Sequence, residues 1–247
     1  MVKLTPELLG QAPSALNPIK ERQLDLRGYK IPVIENLGVT RDQHDAIDLT
    51  DNSIITLGNL PLLKRLRTLL LANNRISAIS PSIHLSVPNL TTLVLTNNNI
   101  LELGDLEPLK ELKGLKYLSL MGNPVREKKW YREWLAWRLP ALRVIDFQRI
   151  RDKERQAAQS LFLTAEGLPT ALATTISTTV STHSKTAVTT DEPRLAVPSA
   201  KAGRLMSKED AEKVKQAIAK ATSVEEIKRL ERNLREGYMP SMDAVGA

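Results

Sequence analysis

The chain has no cysteine, which removes the disulfide scaffold of a small secreted domain, a thiolate zinc site and a catalytic thiol. That absence fits a reducing compartment, cytosol or nucleus. Histidine is nearly as scarce: His44, His84 and His183 stand far apart in different contexts, so no histidine-based metal set or triad is expected. No glycine-rich loop of the phosphate-binding kind occurs. No apolar run approaches the roughly 18 residues of a membrane span, and MVKLTPELLG does not read as a signal peptide. Aromatic residues make up 4% of the chain, and all three tryptophans fall between positions 130 and 137. Basic residues are not scarce. A formal net charge of +7 suits an anionic partner, though charge alone does not separate RNA from an acidic protein.

What is present is a repeat. Between Leu66 and Ile79, LRTLLLANNRISAI carries apolar residues at Leu66, Leu69, Leu71, Ile76 and Ile79, with Asn74 at a fixed offset. This is the L-x-x-L-x-L-x-x-N pattern of a leucine-rich repeat. The L-x-L alternation is a short strand with both leucines inward, and it breaks the 3.6 period an ordinary helix would need. Copies centre on Leu24, Ile47, Leu69, Leu93 and Leu118, at intervals of 23, 22, 24 and 25 residues. Asn52, Asn74, Asn98 and Asn123 recur at the asparagine position, and Tyr29 replaces it in the first copy. An asparagine amide has both donors and an acceptor, so a ladder of them can satisfy the backbone of neighbouring coils. One coil cannot bury its own leucines, so the unit works only when stacked. The expected fold is α/β: a leucine-rich repeat solenoid with a curved parallel sheet on the concave face. Short helical or 3₁₀ turns, from NLPLLKRL (59–66) and GDLEPLKELKGL (104–115), form the convex face.

Flanking segments read as caps and tails. Thr5-Pro6-Glu7 is a helix start, and Leu8, Leu9, Ala12, Leu16 and Ile19 are placed to cover the first coil. Trp130, Trp134 and Trp137 recur at i, i+4 and i+7. They are read as one face of a cap helix within 126–159, in preference to a base-stacking face. Together these make a repeat domain over 1–160. The Ser/Thr/Ala-rich tract 161–205 reads as a disordered linker. Ser207 with Asp210 and Ser223 with Glu226 open a helical hairpin over 206–238, followed by a disordered tail, 239–247. Two helices of that length bury little alone, so the hairpin reads as a docking element.

No catalytic set emerges. Asp25 and Asp48 fall on adjacent strands, but with Arg27 beside them a salt bridge is the expected arrangement. The chain is read as no enzyme, with no cofactor and no metal. Residues flanking the inward leucines face outward on the concave side. They include Asp25, Arg27, Asp48, Thr50, Leu70, Ala72, Val94, Thr96, Tyr117, Ser119 and Met121. Leu70, Val94, Tyr117 and Met121 are apolar where the solenoid does not require it, which points to a site for a partner helix. Arg149, Arg151 and Lys153 follow the cap and are candidate RNA-backbone contacts.

The stretches QLDLRGYKIPVIENLG (23–38), AIDLTDNSI (46–54), LLANNRI (70–76), LTNNNILELGDLEPL (95–109), YLSLMGNPV (117–125) and VIDFQRIRDKERQ (144–156) resemble the A-prime family of the U2 small nuclear ribonucleoprotein. The similarity covers residues 1–160 and the final hairpin, with RGYKIPVIENLG its most specific part. It implies a nuclear, spliceosomal protein that binds the RRM protein B-double-prime through its concave face. It also implies support for that protein's hold on a U2 snRNA stem-loop, and contacts to other spliceosomal proteins through 206–238. A leucine-rich repeat adaptor or phosphatase regulator unrelated to RNA is the alternative; such proteins have no reason to carry RGYKIPVIENLG.

Overall fold

The computed structural model describes residues 2–182. The helical hairpin, the tail and the tract from 183 onward lie outside the described residues. Helix α1 (Pro6–Gln11) starts where Thr5 Oγ1 accepts the Leu8 amide. The strands and helices that follow are β1 (Ser14–Leu16), β2 (Arg22–Asp25), β3 (Ala46–Asp48), β4 (Thr56–Leu57), β5 (Thr68–Leu70), β6 (Ala78–Ile79), α2 (Ile83–Ser86), β7 (Thr92–Val94) and β8 (Tyr117–Ser119). The chain continues through α3 (Tyr131–Arg138), β9 (Val144–Ile145), β10 (Gln148–Arg149), α4 (Asp152–Phe162) and α5 (Ala171–Thr178). The concave sheet has eight strands in the order β1-β2-β3-β5-β7-β8-β9-β10. From β2 to β9 the pairing is parallel; the two ends, β1 and β10, are antiparallel.

Register aligns the inward leucines. Leu24, Ile47, Leu69, Leu93, Leu118 and Ile145 stand opposite one another and are all buried. The sixth member, Ile145, belongs to the irregular last coil. Asn52 accepts the Ile31 amide and donates to the carbonyls of Leu26 and Leu49. Asn74 and Asn98 repeat this one coil further on each time, accepting from Ile54 and Ile76. Asn123 accepts from Ile100 and donates to Leu95 and Leu120. A second ladder runs beside the first. Asp51, Asn73 and Asn97 lie in the left-handed region, and their side chains link: Asn73 donates to Asp51 at 2.7 Å and Asn97 to Asn73 at 2.8 Å. Gly122 ends this column, also at positive φ, where a Cβ would overlap the Asn97 side chain.

Several expected elements differ. Segment 59–66 is irregular rather than helical, because its polar groups bond across coils: Leu63 N–H to Ser86 and Asn59 Nδ2 to Ile34. Of the first-coil cover, Leu9 is buried and Leu8 and Ala12 half-buried. Leu16 and Ile19 are exposed, since the chain after Pro13 pairs its backbone as β1 instead. Trp130 stands outside α3, at φ 68°, so the tryptophans do not share one helical face. Trp134 is fully buried, edge-on to Phe162 at 5.3 Å, with Trp137 packed at 5.2 Å from both.

The tract assigned to a structureless linker is folded over 161–182. Thr170 Oγ1 accepts the Ala173 amide to start α5, whose Ala173 is buried and whose Ile176 packs on the core. The Ser181 amide then donates to buried Asp105 at 2.8 Å. Low charge with apolar residues at i and i+3 suffices for a short helix once it has a surface to lie on. At Gly104 a Cβ would overlap the Thr179 carbonyl, so this backbone approach requires glycine. Gly104→Ala is expected to cost roughly 1–3 kcal/mol through overpacking and to speed amide exchange across 171–181. Unchanged exchange there, by hydrogen–deuterium mass spectrometry, would show that α5 is not held by this contact.

Candidate functional site

Outward-facing residues line the trough in three rows. The first is Gln23, Ala46, Thr68, Thr92, Tyr117 and Val144; the second is Asp25, Asp48, Leu70, Val94 and Ser119. Backbone bonds beyond the strands carry the third: Arg27, Thr50, Ala72, Thr96 and Met121. Leu70 and Val94 stand directly opposite each other at the centre. Leu70, Val94 and Met121 are half-buried by their neighbours, while Tyr117 is 47% exposed. The Ser119 hydroxyl is turned to Thr96 Oγ1 at 2.9 Å and is buried. The middle of the trough thus sets Leu70 and Val94 side by side, with the threonines Thr68, Thr92 and Thr96 flanking them.

Its N-terminal end is charged. Arg27 holds Asp25 through two hydrogen bonds, at 2.6 and 2.9 Å, and lies 3.6 Å from Asp48. The Arg27 hydrogen bond keeps the Asp25 carboxyl below its usual range, against the opposing effect of burial. Asp48, itself buried, also accepts the Thr50 amide at 3.0 Å. The Arg27 guanidinium thus lies between two carboxylates, an ion-paired cluster that gives this end of the trough a fixed charge pattern.

Arg149, Arg151 and Lys153 are exposed, on β10, just before α4 and in its first turn, at the C-terminal end of the sheet. Arg149 lies on β10 opposite Val144, and the Arg151 amide donates to Glu154. Sequence reasoning missed the importance of Asp146. Its carboxylate accepts from the Leu120 amide at 2.7 Å and from the Tyr131 hydroxyl at 2.9 Å, joining the last coil to the cap. It also missed Phe147, 77% exposed at the tip of the β9–β10 hairpin with φ 62°. A positive φ on a phenylalanine leaves no trace in periodicity.

A leucine-rich repeat family model matches residues 1–176. The U2 small nuclear ribonucleoprotein A′ of Mycosarcoma maydis is 48% identical over 96% of this chain and 99% of its own length. The human A′ protein is 46% identical, over 98% of this chain and 91% of its own. The chain belongs to the U2 small nuclear ribonucleoprotein A′ family. Among solved structures, one chain of the Drosophila melanogaster SNF/U2A′ complex matches with a TM-score of 0.65 and 56% identity. It covers 68% of this chain and 96% of that one. Within the A′ family, then, the trough and both caps belong to the matched part, while 183–247 lies beyond the described structure.

Proposed function

We propose that this chain is a non-catalytic scaffold of the nuclear spliceosome, a component of the U2 small nuclear ribonucleoprotein. Its trough takes one helix of an RRM protein of the B-double-prime kind and supports that protein's grip on a U2 snRNA stem-loop. The observation that carries this reading is the apolar centre, Leu70 beside Val94 with Tyr117 and Met121 around them, closed at one end by the Asp25–Arg27–Asp48 bridge. Six parallel strands span about 24 Å, wide enough for a helix of roughly 10–12 Å diameter with its side chains. The relative from Drosophila melanogaster, found in a complex with SNF, supports a protein partner. Arg149, Arg151 and Lys153 add contacts to the RNA backbone. Contacts through 206–238 to other spliceosomal proteins complete the reading.

The test is a salt titration of stem-loop binding with and without the RRM protein. The chain alone is expected to bind RNA weakly and without sequence preference. Changing Arg149, Arg151 and Lys153 to alanine should reduce ternary affinity and flatten the salt slope by up to about 0.7–0.9 per lost contact, with RRM binding unchanged. Tight, sequence-specific RNA binding by the chain alone would overturn the assignment of base reading to the partner. RRM binding without any effect on RNA would point to an ordinary adaptor.

A further inference from the structure

The chain has two phenylalanines. Phe162 is fully buried beside Trp134 and Trp137. Phe147 is the reverse: no other large apolar side chain among the described residues is as exposed. It stands second in the two-residue turn between β9 and β10, where Ile145 pairs with Gln148 and Val144 with Arg149. Asp146 and Phe147 both have positive φ, at 50° and 62°, which is the backbone of a type I′ turn. Asparagine, aspartate and glycine enter such a turn readily. Asp146 fits that preference, and its carboxylate is held by the Leu120 amide and the Tyr131 hydroxyl. A phenylalanine in the left-handed region is strained, because its Cβ crowds the following carbonyl.

No packing among the described residues offsets that strain. Phe147 meets no other aromatic ring there and is not part of the core. A cleft of about 310 Å³ opens beside the turn, with Arg126, Lys128, Trp130, Arg132, Asp146 and Gln148 in its walls. Phe147 does not line it, so the ring is held away from that concavity as well. The turn nonetheless has a fixed place beside the trough. The Asp146 amide donates to Leu118 and its carboxylate accepts the Leu120 amide, so the turn flanks the Leu120–Met121 step. Met121 ends the third row of the trough, the row that Arg27 begins. One rim therefore carries an ion-paired cluster at one end and a bare aromatic ring at the other, about 24 Å away across the parallel strands.

We propose that Phe147 is an anchor that enters an apolar depression on the body of the RRM protein, outside the helix lying in the trough. This rests on the reading of the trough as that protein's seat. A folded domain of roughly 100 residues has a radius of gyration of about 13 Å, so it is wider than the one helix it lays in the trough and overhangs the rims. The turn continues the trough's own third row at Met121, which places the ring under that overhang. A ring on a two-residue turn clamped through Asp146 loses little freedom on contact, which suits an anchor. With the Arg27 cluster at the far end, it also fixes which way round the partner lies. A reversed partner would set its apolar depression against charge.

The test measures binding of the full chain to the RRM protein by calorimetry, without RNA, and thermal melting of the free chain. Phe147→Gly and Phe147→Asn both suit a positive φ. Each should weaken RRM binding at least about tenfold, while the melting temperature holds or rises by roughly 2–4 °C. Affinity and stability thus move apart, which a merely structural residue would not allow. Leu85→Ser, which removes an exposed apolar side chain of α2, should leave affinity in place. Wild-type affinity in both Phe147 variants, with Val94→Glu still losing it, would overturn the anchor and leave the trough reading standing. A lowered melting temperature would make the ring part of the fold and overturn the anchor too. An equal loss in Leu85→Ser would trace the effect to general stickiness and do the same. RRM binding intact, with stem-loop affinity of the complex reduced, would make the ring a base contact and not a protein anchor. A wild-type chain that does not bind the RRM protein takes down both readings.

Discussion

Val94→Glu is expected to abolish RRM binding, by roughly a thousandfold or more, with only a small shift in melting temperature. A glutamate at the apolar centre is stripped of water by an incoming helix and meets no cation, which costs several kcal/mol of binding. The same holds for Leu70→Glu combined with Met121→Glu. In the free chain these side chains are half-buried by neighbours within the trough and open to solvent above it, so a longer polar side chain can turn outward. Pull-down or calorimetry with the RRM protein checks binding, and a thermal melt checks folding. Normal affinity would remove the trough as the partner site. A collapse of the melt would place these residues in the core instead.

Asn98→Leu should cause a clear loss of stability. Its amide donates to Leu71, Leu95 and Thr96, and its oxygen accepts the Ile76 amide at 2.9 Å. Leucine keeps the bulk but leaves the buried Ile76 amide unpaired and takes one of two donors from the Leu71 and Leu95 carbonyls, at roughly 1–3 kcal/mol for a buried group that loses its partner. Asn123→Leu should cost less, because that amide makes two donor contacts and lies beside the cap. Chemical denaturation of the two variants measures the difference. Equal midpoints for Asn98→Leu and wild type would mean that the ladder does not hold the coils together.

The solenoid was legible because its two signals are independent. Leucine alternation places the strands, and the asparagines place the turns; both lead to the same register at Ile47, Leu69, Leu93 and Leu118. The outward rows of the trough followed from the same register. What escaped depends on contacts between distant segments. Pro61 and Leu63 look helical until Ser86 takes the backbone bond. The threonine-rich stretch looks structureless until Asp105 and Gly104 give α5 a place to lie. Trp130 fits a helical spacing that its left-handed backbone interrupts. The second ladder did leave a trace: Asp51, Asn73, Asn97 and Gly122 are residue types that tolerate positive φ, each just before a ladder asparagine.

The antiparallel strands at the two ends decide how far the stack can grow. A parallel coil left open at either end would present the next molecule with the same template that its own neighbour uses. Here β1 and β10 run backward, so an incoming coil would find the strand polarity reversed at both faces. The parallel stack is thus ended at both sides by strands of the chain itself, at six members. Its six parallel strands act as a gauge of set width, fixed by the number of coils between the two reversed strands.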